Sequence, residues 1–181
     1  MTTGTPIAAP SAAQILRARA RALARPPQVA ETAGSSLEVL EFRLARESYA
    51  VETRHVQEVH PLKNLTPLPC TPPFVLGVVN VRGRITPVID IKKFFDLPDK
   101  GLTDLHRIIL VRGNGLELGL LADVIVSVRR VRLDSLQASL PTLTGIRAEY
   151  LKGVTAERLV VLDLDRLLAD PKIVVNETVE K

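Results

Sequence analysis

Two segments of this chain occur twice, and the repeat limits the fold more than any single residue does. The run Gly77–Phe95, GVVNVRGRITPVIDIKKFF, has a shorter echo at Gly153–Leu168, GVTAERLVVLDLDRLL. A second pair precedes them: YAVETRHVQEV (49–59) aligns without gaps on LGLLADVIVSV (118–128), Val on Val at the last position. Repetition of a whole supersecondary unit means that one small module is built twice. A module of roughly 60–70 residues buries too little surface to be stable alone. The two copies are therefore expected to pack together, with a groove at their junction.

From Leu37 the apolar pattern has the period of strands. LEVLEFRL (37–44) alternates, and RES leads into YAVE (49–52), a hairpin signal. VQEVHPL is a further short strand, closed by the proline-rich NLTPLPCTPPF. GVVNVRG and RITPVID meet at Arg82-Gly83-Arg84, and Asp90 is placed to cap the turn of helix IKKFF. In the second half, HRIILVRG and LELGLLA flank Asn114-Gly115, a type I′ hairpin signal, and DVIVSVRRV continues as a strand. SLQASLPTLTGIRAE is irregular; EYLKGVTAERLVVLDLDRLL adds two strands and a helix starting near Asp163 or Asp165. The expectation is a mostly β chain of two tandem five-stranded barrels packed together. The first spans about 45–100 and the second about 104–162, with crossing terminal segments and short helices after the barrels.

Residues 1–36 form an N-terminal extension and 171–181 a C-terminal tail. Within the extension, AAQILRARARALAR predicts an extra helix over about 12–25, stopped by Pro26-Pro27. Leu16, Ala20 and Leu23 fall on one face, and Arg17, Arg21 and Arg25 form the adjacent stripe. This stripe is an accessory docking candidate for an acidic protein face or an anionic lipid surface.

The net charge of +4 comes mostly from that extension. Residues 1–34 hold four arginines against Glu31, leaving 20 basic and 19 acidic groups in the rest. A body so nearly neutral lacks the one-sided charge of a nucleic-acid binder. Aromatic residues are 3% with no Trp, which argues against stacking on single strands. No apolar run approaches the roughly 18 residues of a membrane helix, so no membrane insertion is expected. The N-terminus has no secretory pattern, and the single cysteine, Cys70, has no partner for an internal disulfide. A cytoplasmic location is expected.

With Gly77, Asn80, Arg82, Gly83, Pro87 and Asp90 in place, the segment resembles the CheW domain. VQEV (56–59), Asp123-Val124 and GVTAERLVVLDLDRLL extend the resemblance over about 37–170. It implies SH3-like barrels and a non-enzymatic scaffold that couples chemoreceptors to the histidine kinase CheA. The implied partners are the regulatory domain of CheA, the cytoplasmic tip of methyl-accepting chemoreceptors and other CheW copies in an array. The implied location is peripheral to the membrane receptor array. The implied protein-binding residues are Val56, Glu58, Gly77, Asn80, Arg82, Ile125 and Val128, with Glu58 and Arg82 forming a surface salt bridge. Neither cofactor nor metal is implied. A CheW-like adaptor in a non-swimming pathway, such as twitching motility or biofilm formation, carries the same residues.

The rival from another class is a small β-barrel hydrolase using Asp90, Asp163 and His106. Asp90 and Asp163 hold equivalent places in the repeat, each ending a strand and opening a helix, which helix capping explains. His55, His60 and His106 lack helical i, i+4 spacing and cysteine partners, so a metal site is not expected. Cys70, between prolines and without a neighbouring base, reads as a buried spectator. Features present in one copy alone are where specific contacts are expected: Glu58 and Arg82 in the first, and the basic run Arg129-Arg130-Val131-Arg132 in the second.

Overall fold

The computed structural model describes residues 35–98, 105–137 and 146–173, all within the unit Gly34–Lys181. The expected N-terminal helix with Arg17, Arg21 and Arg25 lies outside the described residues, as does the tail beyond 173. The first copy of the repeat contributes β1 (Ser36–Leu44), β2 (Glu47–Glu52), β3 (Val56–Pro61), β4 (Val75–Val81), β5 (Arg84–Ile89) and helix α1 (Ile91–Phe94). The second contributes β6 (Arg107–Gly113), β7 (Leu116–Ala122), β8 (Val124–Arg132), helix α2 (Ile146–Glu149), β9 (Leu151–Val154), β10 (Leu159–Leu162) and helix α3 (Leu164–Ala169).

These strands form two five-stranded sheets, but not one per half. One sheet runs β8-β1-β2-β10-β9 and the other β3-β6-β7-β5-β4. Each sheet takes two strands from one copy and three from the other. The expected division into consecutive barrels at about 45–100 and 104–162 is thereby corrected. The chain changes sheet at the 3-10 turn Thr53–His55 between β2 and β3, and again at Asp123 between β7 and β8.

The exchange preserves the repeat in detail. The alignment that places Tyr49 on Leu118 also places Val39 on Ile108, and the pairs Val39↔Glu52 and Ile108↔Leu121 are equivalent. The bulge on β3 between Val56 and Glu58 recurs on β8, where Ile125 and Ser127 bracket one extra residue. The parallel contacts Val88↔Gly119 and Val161↔Ala50 also correspond. Beyond β3 and β8 the chain returns to the far strand of the same sheet, through bridges Thr66↔Val78 and Gln137↔Val154.

Burial explains why central strands read as apolar runs while edge strands alternate. Leu40, Phe42, Tyr49, Val51, Ile109, Val111, Leu118, Leu120, Val160 and Leu162 join one core cluster between the sheets. Their neighbours point into the interior of their own sheet, Val39, Ala50, Leu159 and Val161 in one, Val88, Ile108 and Leu110 in the other. A strand covered on both faces has no polar side to alternate. The junction that was expected to leave a groove is filled by the largest of these clusters. Two small residues admit the inward side chains: Ala50, and Gly119, where a Cβ would lie 2.4 Å from Ile108 Cγ2.

Candidate protein-binding face

The exposed face begins where β3 leaves the 3-10 turn. Val56 is half-buried against the central core, the bulge falls at Gln57, and Glu58 and His60 follow on an edge strand whose neighbour is β6. Opposite stands the β4–β5 hairpin. Its turn has Arg82 at φ 51° and Gly83 at φ 84°, the two left-handed positions of a type I′ turn. Asn80 Oδ1 accepts a hydrogen bond from Gly83 N at 2.9 Å and braces that turn. The guanidinium of Arg82 thus stands at the tip, with its side chain 77% exposed, and its Nη2 lies 2.7 Å from Glu58 Oε2. An exposed pair of this kind contributes only about 0–1 kcal/mol; its effect is to fix the direction of the arginine.

A second pair, Arg84 Nη1 to Glu117 Oε2 at 3.6 Å, lies beside the first. Between them opens a groove of about 380 Å³, with Val81, Thr86 and Leu110 among its lining residues. It lies at an open end of the β3–β7 sheet, not at the junction of the sheets. Arg84, Glu117 and His60 were not singled out from sequence, because isolated charges on short strands carry no pattern.

The other implied residues lie on β8, the opposite edge strand. Ile125 packs against the central core, whereas Val128 is exposed, as are Val124 and Val126. Val56 and Ile125 occupy equivalent places in the two copies, each at the start of a strand that changes sheet. The basic run after them is less available than expected. Arg129 reaches Glu41 at 3.3 Å and Glu157 at 2.9 Å, and Arg132 is paired with Asp134. Arg129 is thus held by two acids within the fold, whereas Arg130 and Arg132 remain exposed on β8.

Gly77 is not a surface residue. It is buried at φ 142°, and a Cβ there would lie 2.1 Å from Thr66 O. It allows the returning segment to close on β4, so its effect on any partner acts through backbone shape. Cys70, expected to be buried, is exposed, on a turn at φ 58°.

The residues of the hydrolase alternative have structural tasks. Asp90 caps α1, accepting from Lys92 N at 2.9 Å, and Asp163 caps α3, accepting from Arg166 N at 3.1 Å. His106 Nε2 lies 2.9 Å from Asp123 Oδ1, which also receives Lys92 Nζ at 2.8 Å; Asp123 Oδ2 accepts from Ala45 N at 2.6 Å. Burial pushes the Asp123 carboxyl up, but the hydrogen bond from Lys92, the amide of Ala45 and the nearby charges prevail and hold it below the usual value.

At the other crossing the polarity is reversed: Arg54 pairs with Asp165 at 2.6 Å. Arg54 is the counterpart of Asp123 in the repeat, and Asp165 that of Lys92. Each sheet change is thus fastened by an ion pair between the copies, with opposite signs. Lys92 meeting Arg54, or Asp123 meeting Asp165, would be repulsive.

The profile of the CheW-like domain family matches residues 38–172. The chain belongs to the CheW-like domain family. It is 30% identical over 156 residues to the chemotaxis protein CheW of Klebsiella aerogenes, covering 83% of this chain and 92% of that protein. It is 29% identical over 143 residues to the chemotaxis protein CheW of Treponema pallidum, covering 75% and 84%. Among solved structures, the scaffolding protein TtCheW of Thermoanaerobacter tengcongensis superposes with a TM-score of 0.67 at 30% identity, over 78% of this chain and 94% of that one. A CheW-like chain of this kind is a chemotaxis-type signalling scaffold, not an enzyme. No helix among the described residues is long and apolar enough to cross a membrane.

Proposed function

We propose that this CheW-like protein couples chemoreceptors to the histidine kinase CheA at the membrane receptor array, each of its two sheets serving as an SH3-like barrel. The observation that carries the reading is the Glu58–Arg82 pair, held on an edge strand and a type I′ turn at 2.7 Å. It presents an oriented guanidinium where a partner can reach it. Val56 and Asn80 support this face from below; Ile125 and Val128 form a second, apolar contact on β8. Edge strands are natural docking sites for a similarly folded partner such as the regulatory domain of CheA, or another CheW copy. Coupling is mechanical: the scaffold holds receptor tip and kinase in one geometry, so that receptor motion biases the kinase.

The test is co-purification of CheA and of receptor signalling fragments with the wild type and with Arg82→Ala and Val128→Asp. Wild type is expected to capture both partners, and each variant to lose at least one. Capture of neither by the wild type refutes the function; undiminished capture by a variant removes that residue from the interface.

A further inference from the structure

Glu58 has a second basic neighbour. His60 Nε2 lies 3.0 Å from Glu58 Oε1, while Arg82 holds Oε2. The contact is within ion-pair distance but lies outside the angles of a hydrogen bond, and Nε2 itself is shielded from solvent. A neutral ring gains little from that geometry, whereas a charged ring gains an ion pair. Histidine is the side chain whose charge ordinarily changes between about pH 5 and 8.

The surroundings set the direction of the effect. At the groove, the guanidinium groups point outward and the carboxylates are recessed: Arg82 and Arg84 are 77% and 73% exposed, Glu58 and Glu117 26% and 28%. A partner therefore meets positive charge first. The other charged groups on these strands are Arg107 on β6, beside Pro61 in register, Arg112 on β6, opposite Glu117, and Lys63 beyond β3. Arg107 is directed to the carbonyls of Leu105 and His106. Glu58 is accordingly the acid that His60 meets.

We infer that His60 is a positioning residue that controls how firmly Glu58 holds Arg82, so that docking of an acidic partner segment on Arg82 and Arg84 strengthens as pH falls. When His60 is neutral, the charge of Glu58 is neutralised by Arg82 alone. When it is protonated, the carboxylate is shared between two cations, Arg82 is freer to bind a partner carboxylate, and the face gains one positive charge. This inference rests on reading the face as partner-binding.

The experiment measures affinity for the CheA regulatory domain from about pH 8 to about pH 5.5, using the wild type, His60→Gln and His60→Lys. In parallel, the Arg82 Nε–H resonance is followed by NMR without partner. The wild type is expected to bind up to about fivefold more tightly at the acidic end, the ratio that matches the ceiling for an exposed ion pair. His60→Gln should lose that increment, and His60→Lys should hold the tighter affinity throughout. The Arg82 resonance should titrate in the wild type and not in His60→Gln. Parallel pH curves for wild type and His60→Gln, or an Arg82 resonance that moves alike in both, overturn the role of His60 and leave the proposed function standing. Absence of binding at every pH overturns the kinase-docking part of the proposed function, and the resonance then decides His60 by itself.

Discussion

Replacing Asp123 by Asn tests whether the ion pairs at the sheet crossings hold the exchanged strands in place. The wild-type carboxylate receives Lys92 Nζ at 2.8 Å, His106 Nε2 at 2.9 Å and the Ala45 amide at 2.6 Å. An amide has one accepting oxygen, so its NH₂ group must face either the lysine or the backbone donor. The Lys92 side chain is 2% exposed, and neutralising one partner of a buried ion pair costs up to about 3–5 kcal/mol. Asp123 is 23% exposed, and water at that edge places the expected loss near the lower figure, about 3 kcal/mol. Spread over the unfolding entropy of a domain spanning residues 38–172, this lowers Tm by about 10 °C. Thermal and urea denaturation followed by circular dichroism measure it. The double variant Lys92→Met, Asp123→Asn removes both charges and should recover most of the loss. pH provides an independent arm. The folded-state value of Asp123 is depressed, so its contribution is complete above the unfolded carboxylate value of about 3.9 and fades as pH falls through the folded value. The gap between wild type and Asp123→Asn should accordingly close in strong acid. A single variant within about 1 kcal/mol of wild type, or a double variant no better than the single, refutes the reasoning.

Gly77→Ala places a Cβ 2.1 Å from Thr66 O and should destabilise by about 1–3 kcal/mol in urea, losing partner binding only as the fold loosens. Asp163→Ala removes the cap of α3 and should cost about 1 kcal/mol, with kinase and receptor capture unchanged; the hydrolase alternative instead requires an activity that disappears in Asp163→Asn. The Tyr150 phenol, raised by burial and by its hydrogen bond to Asp170, contributes stability below the ordinary tyrosine value of about 10 that is lost as pH rises beyond it. Tyr150→Phe should flatten the alkaline limb of stability, read by denaturation across that range.

Much of the face was legible in the residues themselves. The Arg82-Gly83 turn follows from local geometry and the Glu58–Arg82 pair from the family resemblance, and both appear in the fold. His60 was not legible as part of it, because only the bulge and the facing hairpin bring one carboxylate between a histidine and an arginine. The two acids that hold Arg129 were not legible for the converse reason: Glu41 and Glu157 lie far away in the chain.

The sequence by itself determined that one β module is built twice, where its hairpins turn, and that Asp90 and Asp163 open helices. Those properties depend on neighbours a few residues apart. Only the tertiary structure decided that the copies exchange strands, so that Lys92 meets Asp123 and Arg54 meets Asp165. Periodicity reports that a face is buried but not what covers it. The cover came from the other copy, with the charges at the two crossings arranged so that the exchanged pairing attracts and the unexchanged one repels.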